Sequence, residues 1–176
     1  MATPLILTSF FTYALLSILF TSTLVKGDLV TDVCIKTSVP SLCEKLLRSD
    51  PHSKTADLET LGTIALNMTT DLIKSTSTMV NSLLDKTTNA TLKELYTLCS
   101  SFYTYVEYSR EIAIGYYGVK KYGQVIYFMT ESIGDVRSCD YGFVHKSVYE
   151  EDEKLRQASL SLQQYFTAII VIAIRL

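Results

Sequence analysis

Residues 91–113, TLKELYTLCSSFYTYVEYSREIA, decide the fold class of the chain. Apolar or small side chains recur there at steps of three and four, the spacing of one buried helix face: Leu92, Leu95, Cys99, Phe102, Val106, Ser109 and Ala113. Thr91-Leu92-Lys93-Glu94 has the sequence of a capping box, which predicts that the helix begins there. Gly115 and Gly118 indicate its end. The stretch therefore predicts one long amphipathic helix.

Three further segments carry the same periodicity, one before this helix and two after it. The first stripe contains Leu58, Leu61, Ala65, Met68, Leu72, Met79 and Leu83. The two later stripes contain Tyr122, Val125, Met129, Ser132, Val136 and Cys139, then Leu155, Ala158, Leu162, Tyr165, Ile169, Ile172 and Leu176. A break is predicted between them at Asp140-Tyr141-Gly142. Short polar connections favour antiparallel neighbours, so the sequence predicts an all-α fold, an antiparallel four-helix bundle. Residues 168–174, apolar on all sides, are expected to make the last helix the most buried.

The first 27 residues have the layout of a secretory signal peptide. Residues 5–24 are nearly all apolar or hydroxylic, no charge occurs before Lys26, and small residues allow cleavage after Gly27. The alternative is a retained membrane anchor, since the apolar run approaches the roughly 20 residues that span a bilayer. Cleavage predicts one secreted domain over residues 28–176, with no membrane association afterwards.

The region after this leader holds an even number of cysteines: Cys34, Cys43, Cys99 and Cys139. An even count in a secreted chain favours disulfides, and the spacing is not that of a metal site. Cys99 and Cys139 lie on the apolar stripes of successive helices, but four cysteines allow three pairings and spacing alone does not select one. Glycosylation sequons begin at Asn67 and Asn89, in agreement with an extracellular destination.

Composition and motifs argue against an enzyme and against nucleic acid as a partner. The net charge is −2 and the chain has two histidines, His52 and His145, without a nucleophile motif or a metal-binding spacing. The acidic run 150–153 begins the last predicted helix, where carboxylates favour the helix dipole. We therefore expect no catalytic residues, no metal and no cofactor.

Three segments, together with Cys99, resemble the plant invertase and pectin methylesterase inhibitor family. They are Cys34-Ile35-Lys36-Thr37-Ser38-Val39-Pro40-Ser41-Leu42-Cys43, Ser53-Lys54-Thr55-Ala56-Asp57-Leu58 and Ser138-Cys139-Asp140-Tyr141-Gly142-Phe143. The resemblance covers roughly residues 29–176. It implies an N-terminal helical hairpin closed by Cys34 and Cys43, and a bundle joined by Cys99 and Cys139. It also implies one-to-one occlusion of the active site of a plant carbohydrate enzyme, in the cell wall or the vacuole.

The family divides between two targets, pectin methylesterase and acid invertase. Several invertase inhibitors carry Pro-Lys-Phe before the third bundle helix, where this chain has Lys120-Lys121-Tyr122. The basic and aromatic residues are kept and the proline is absent. The resemblance therefore slightly favours pectin methylesterase, with acid invertase as the alternative. A third interpretation is a non-inhibitory secreted bundle that binds an apolar ligand or another protein.

Tyrosines are concentrated on the second and third bundle helices: Tyr103, Tyr105, Tyr108, Tyr116, Tyr117, Tyr122 and Tyr127. Half-exposed tyrosine suits a protein interface, although a tyrosine-rich core edge is the simpler explanation for any single one. The predicted target-binding residues lie where these helices meet: Tyr116, Tyr117, Lys120, Lys121 and Tyr122. The two lysines are expected to face an acidic cleft.

Overall fold

The computed structural model describes residues 28–145 and 153–176. Within these ranges the chain forms six α-helices and one short 3-10 turn, and contains no β-strand. The elements in chain order are α1 Leu29–Cys34, α2 Pro40–Leu47, the turn Pro51–Lys54, α3 Leu58–Lys86, α4 Ala90–Gly118, α5 Tyr122–His145 and α6 Glu153–Arg175. The all-α prediction is confirmed. The predicted signal peptide and residues 150–152 of the acidic run lie outside the described residues.

The four long helices form the predicted bundle. Helix α3 packs on α4, α4 on α5, α5 on α6, and α6 returns to α3, while the α1–α2 hairpin packs on α6. Two disulfides staple this arrangement. Cys34–Cys43 closes the hairpin, and Cys99–Cys139 joins α4 to α5 with Cα atoms 4.8 Å apart. This is the pairing that the family resemblance implied.

Helix α4 begins two residues earlier than the capping box predicted. Its N-cap is Asn89, whose Oδ1 accepts hydrogen bonds from the backbone N–H groups of Thr91 at 2.9 Å and Leu92 at 3.1 Å. Asparagine is among the strongest N-cap residues. Asn89 therefore accepts hydrogen bonds from the first N–H groups of the helix, the role that the sequence assigned to Thr91. The predicted end at Gly118 is confirmed.

From Thr69 onward, α3 buries a stripe that lies one residue later than predicted: Thr69, Ile73, Thr76 and Val80. The predicted Met68, Leu72 and Met79 are half-buried at its edge. The hydroxyls of Thr69 and Thr76 each donate, over 2.6 Å, to a backbone carbonyl one turn earlier. A threonine whose hydroxyl is hydrogen-bonded in this way can be buried in the core. A prediction based on the spacing of apolar residues does not include it.

The break predicted at Asp140-Tyr141-Gly142 is wrong, because α5 continues to His145. Phe143 extends the buried stripe by one turn and is 1% exposed. A Cβ at Gly142 would lie 3.0 Å from Leu95 Cδ2, so this glycine permits close packing of α4 rather than a turn. Tertiary packing thus overrides the local turn preference of the segment.

Helix α6 is long and apolar enough to cross a membrane by length and composition alone. Most of its apolar segment is buried in the bundle, which is typical of the core helix of a soluble protein. Of the 23 residues of α6, 10 are buried, a larger share than in α3, α4 or α5, as expected for the most buried helix of the bundle. Ile174, near the end of the helix, is 68% exposed.

Asp140 of α5 forms a polar contact with α6 inside the bundle. Ser159 Oγ lies 2.6 and 2.7 Å from its two carboxylate oxygens, and Gln163 Nε2 donates to Oδ2 over 3.0 Å. Burial penalises the charged carboxylate and raises the pKa of Asp140, although these two hydrogen bonds and the nearby Arg137 oppose the shift. The unfolded chain therefore releases this proton at a lower pH than the folded chain does.

The stabilising contribution of Asp140 is consequently complete below the ordinary aspartate pKa and is lost as the pH rises through its raised pKa. Asp140→Asn removes the charge and keeps an acceptor for Ser159. We expect the variant to gain stability relative to the native chain at about pH 7, and to gain less at about pH 3.5. Denaturant midpoints of both proteins across this range measure the difference, and a difference independent of pH would contradict it.

Candidate functional site

The short connection between α4 and α5 is the place where the target-binding residues were predicted. The N–H of Lys120 donates to the carbonyl of Tyr117 over 3.0 Å, and the N–H of Lys121 donates to that of Tyr116 over 2.9 Å. This is the hydrogen-bond pattern of a Schellman motif, in which the left-handed residue is usually glycine. Here that residue is Lys120, with φ 57°. The backbone of Lys120 is thus held in the left-handed conformation, which residues with a side chain rarely adopt.

The side chain of Lys120 extends back to the first turn of α3. Its Nζ lies 2.9 Å from Glu59 Oε2, and this hydrogen bond is the main reason that the pKa of Lys120 is raised. The amine that was expected to face the target is therefore paired within the chain. Lys121 is exposed, and its N–H closes the Schellman motif.

Tyr117 lies beneath this connection and is 6% exposed. Its hydroxyl donates to the carbonyl of Glu59 over 2.9 Å, and burial raises its pKa. The ring of Tyr122 meets it edge-on, with 5.5 Å between centroids. Tyr117 was predicted to contact a target, but its side chain is part of the core and supports the connection from below.

Tyr116 begins an aromatic surface that runs along the outer side of α4 and α5. Its ring stacks on Phe128 at a centroid distance of 5.9 Å, and Phe128 in turn meets Tyr127 edge-on at 5.2 Å. Paired aromatic rings hold each other in defined orientations, which gives a contact surface with little rotamer freedom.

This surface continues into a groove of about 360 Å³ between α4 and α5. We call it the aromatic groove and define it by Tyr105, Tyr108, Tyr127, Phe128, Glu131 and Asp135. Its three tyrosines are 61%, 62% and 56% exposed. Large tyrosine side chains that remain this exposed provide contact area without contributing much to the core. Cys99–Cys139 joins the same two helices further along their length.

The groove was only partly predicted by the sequence. Its tyrosines were recognised as interface candidates, but the contact residues were assigned to the connection instead, and Tyr103 of the same cluster is fully buried. Glu131 and Asp135 were missed. Their signal was available, since two acids four residues apart on one helix repel each other.

A second groove of about 560 Å³ lies between the α1–α2 hairpin and the end of α6. It is lined by Ile35, Val171 and Ile174, with Asp32, Lys36 and Arg175 at its margin. Ile35 and Ile174 are both well exposed, so the groove is shallow and does not enclose a ligand. It gives the apolar-ligand interpretation no support.

Metal ligation has no candidate in the part of the chain that the structure describes. Within residues 28–145 and 153–176, no three His, Cys, Asp or Glu side chains come together in a way that could hold a metal ion.

Comparison with known proteins gives consistent similarities. The family model described as "Plant invertase/pectin methylesterase inhibitor" matches residues 28–176. A pectinesterase inhibitor of Actinidia deliciosa is 30% identical over 172 residues, which cover 94% of this chain and 92% of that protein. A Platanus acerifolia protein named "Putative invertase inhibitor" is 27% identical over 135 residues, covering 73% of this chain and 75% of that protein. A solved mutant form of an Arabidopsis pectin methylesterase inhibitor matches 85% of this chain and 98% of its own with a TM-score of 0.76; at 20% identity, the likeness concerns the fold.

Proposed function

This chain belongs to the plant invertase/pectin methylesterase inhibitor family, and from that premise we propose that it is a secreted inhibitor of a cell-wall carbohydrate enzyme. It binds the enzyme one to one and covers the active-site cleft. Pectin methylesterase is the first candidate target. The similarity to a pectinesterase inhibitor extends over 94% of the chain, and Lys120-Lys121-Tyr122 lacks the proline found in several invertase inhibitors.

Acid invertase is the second candidate. The 27% identity to a protein named as an invertase inhibitor supports it, as does the exposed Lys121, which retains a basic residue in the connection. In either case the protein acts by steric occlusion and carries out no chemistry of its own.

The observation that carries the proposal is the aromatic groove on a rigid support. Tyr105, Tyr108 and Tyr127 are exposed on helices that are four or more turns long and joined by a disulfide. An interface presented on such elements loses little conformational entropy when it binds. Tyrosine also combines a large contact area with few rotatable bonds, and is enriched among residues that dominate binding energy.

Secretion is part of the same proposal. All four cysteines are paired in buried disulfides, which favours an oxidising compartment, and the wall space is the proposed location with the vacuole as alternative. Asn67 and Asn89 are both exposed, so we propose a glycan at each. A mass loss on N-glycosidase treatment of the protein secreted from plant cells tests these two sites.

The experiment that tests the function is titration of the oxidised protein against a plant pectin methylesterase and a plant acid invertase. We expect inhibition of the esterase with one-to-one stoichiometry. Inhibition of the invertase alone would reassign the target, and inhibition of neither enzyme across several isoforms would contradict the proposed function.

The contact surface is tested in the same assay by Tyr105→Ala, Tyr108→Ala and Tyr127→Ala. Each is expected to raise the inhibition constant by about 10- to 100-fold, the range of a truncated interface hot spot. Ile35→Ala is the control, because Ile35 is an equally exposed apolar side chain on the hairpin, outside the groove. Equal effects of the control and the tyrosine variants would exclude the groove as the contact surface.

A further inference from the structure

We propose that the aromatic groove receives a lysine or arginine side chain of the target enzyme between Glu131 and Asp135. The inference rests on the proposed inhibitory function and specifies the chemistry of the partner at that surface. It also reverses the expectation from the sequence, in which lysines of this chain were to enter an acidic cleft.

The first step concerns charge. Glu131 and Asp135 are four residues apart on α5 and both line the groove. In residues 28–145 and 153–176 no Lys, Arg or His nitrogen lies within 4.0 Å of either carboxylate. Like charges at this spacing destabilise a helix by about 0.2–0.5 kcal/mol. The pair therefore carries a cost that no contact within the described chain offsets.

The second step concerns the position of the charges. Asp135 is half-buried, and its pKa is raised by burial first and by the charge of Glu131 second. A cation placed between the two carboxylates offsets their mutual repulsion and favours the ionised form of Asp135. An acidic partner would meet repulsion from both groups, so the groove discriminates by charge as well as by shape.

The third step concerns the walls of the groove. Tyr105 and Tyr108 from α4 and Tyr127 from α5 line the same space as the carboxylates. An ammonium or guanidinium group is attracted to the face of an aromatic ring within about 6 Å of its centre, and guanidinium also stacks on the ring. Exposed rings, beside carboxylates that have no ion pair with residues 28–145 and 153–176, are suited to one basic side chain, and about 360 Å³ gives it room.

The test is the double variant Glu131→Gln, Asp135→Asn, which keeps the size of both side chains. Its complex with the inhibited enzyme is compared with that of the native chain at about 0.02 M and about 0.5 M salt. We expect affinity to fall by about 10- to 100-fold at low salt, and the salt dependence to become weaker. Asp85→Asn is the matched control, since Asp85 is an exposed acid on α3 outside the groove, and should change affinity less than about 2-fold.

Folding does not confound the comparison, because removal of two repelling carboxylates should leave the melting temperature unchanged or slightly higher. If the native chain binds its enzyme and the double variant binds equally well at both salt concentrations, the inference is overturned and the proposed function stands. If the native chain inhibits neither enzyme, both are overturned. The inference would also be overturned if a neutral oligosaccharide competed with the enzyme for the groove independently of salt. The tyrosine rings would then bind a sugar and not a basic side chain.

Discussion

Replacement of both Cys99 and Cys139 by alanine is expected to lower the free energy of unfolding by about 4 kcal/mol. The bridge closes a loop of 40 residues, and on the chain-entropy model a loop of this size restricts the unfolded chain by about that amount. For a domain of this size the melting temperature should fall by about 8–16 °C. Denaturant titration followed by far-ultraviolet circular dichroism, at one fixed pH, measures the loss.

The matched control is the second bridge. Cys34 and Cys43 are separated by 9 residues, for which the same model gives about 2.7 kcal/mol when both are replaced by alanine. All four cysteines are buried to the same degree, so the loss of packed sulfur atoms is comparable in the two variants. A larger loss from the hairpin bridge than from the bundle bridge would refute the loop-length explanation.

The bundle bridge also has a consequence for binding. It ties α4 to α5, the two helices whose outer sides form the aromatic groove. Without it the two helices are held by their packing and by the connection at one end, and the groove has more freedom to lose on association. At a temperature where the variant is still folded, its inhibition should therefore weaken more than that of the hairpin variant.

The fold could be predicted because its main signal is local. The stripe of α4 from Leu95 to Ala113 repeats with helical spacing, and most of its members are buried as expected. The failures occurred where something other than apolar periodicity decides the outcome. Thr76 enters the core because its hydroxyl is satisfied by its own helix, and Phe143 prolongs α5 because the bundle buries it. The spacing of apolar residues predicts neither the hydrogen bond of Thr76 nor the burial of Phe143.

The candidate site was harder to predict for a similar reason. Lys120 is paired with Glu59, which is 61 residues away in sequence and is brought to it by the antiparallel packing of α3 and α4. No property of Lys120-Lys121-Tyr122 indicates that the first lysine is used internally. Glu131 and Asp135, in contrast, were available to sequence reasoning as two acids on one helical face.

Gly62 of α3 provides the most direct test of how the connection between α4 and α5 is supported. A Cβ atom at this position would lie 2.0 Å from the hydroxyl oxygen of Tyr117 and 2.6 Å from its Cζ. The ring is buried, and its hydroxyl is bonded to the carbonyl of Glu59, so moving it breaks that bond and disturbs the core. The glycine is therefore required by packing, not by its backbone conformation.

Gly62→Ala is accordingly expected to destabilise the protein by about 1–3 kcal/mol, the usual cost of overpacking a core. The sign is informative, because alanine in place of glycine within a helix normally stabilises by about 1 kcal/mol. Gly134→Ala supplies the control: it lies within α5, its Cβ would meet nothing within 4 Å, and it should stabilise. Adding Tyr117→Phe to Gly62→Ala should recover part of the loss, since the shorter side chain removes the closest contact.

Stabilisation by Gly62→Ala equal to that by Gly134→Ala would show that Tyr117 is free to move. The connection that it supports would then owe its geometry to Lys120 and Glu59 alone.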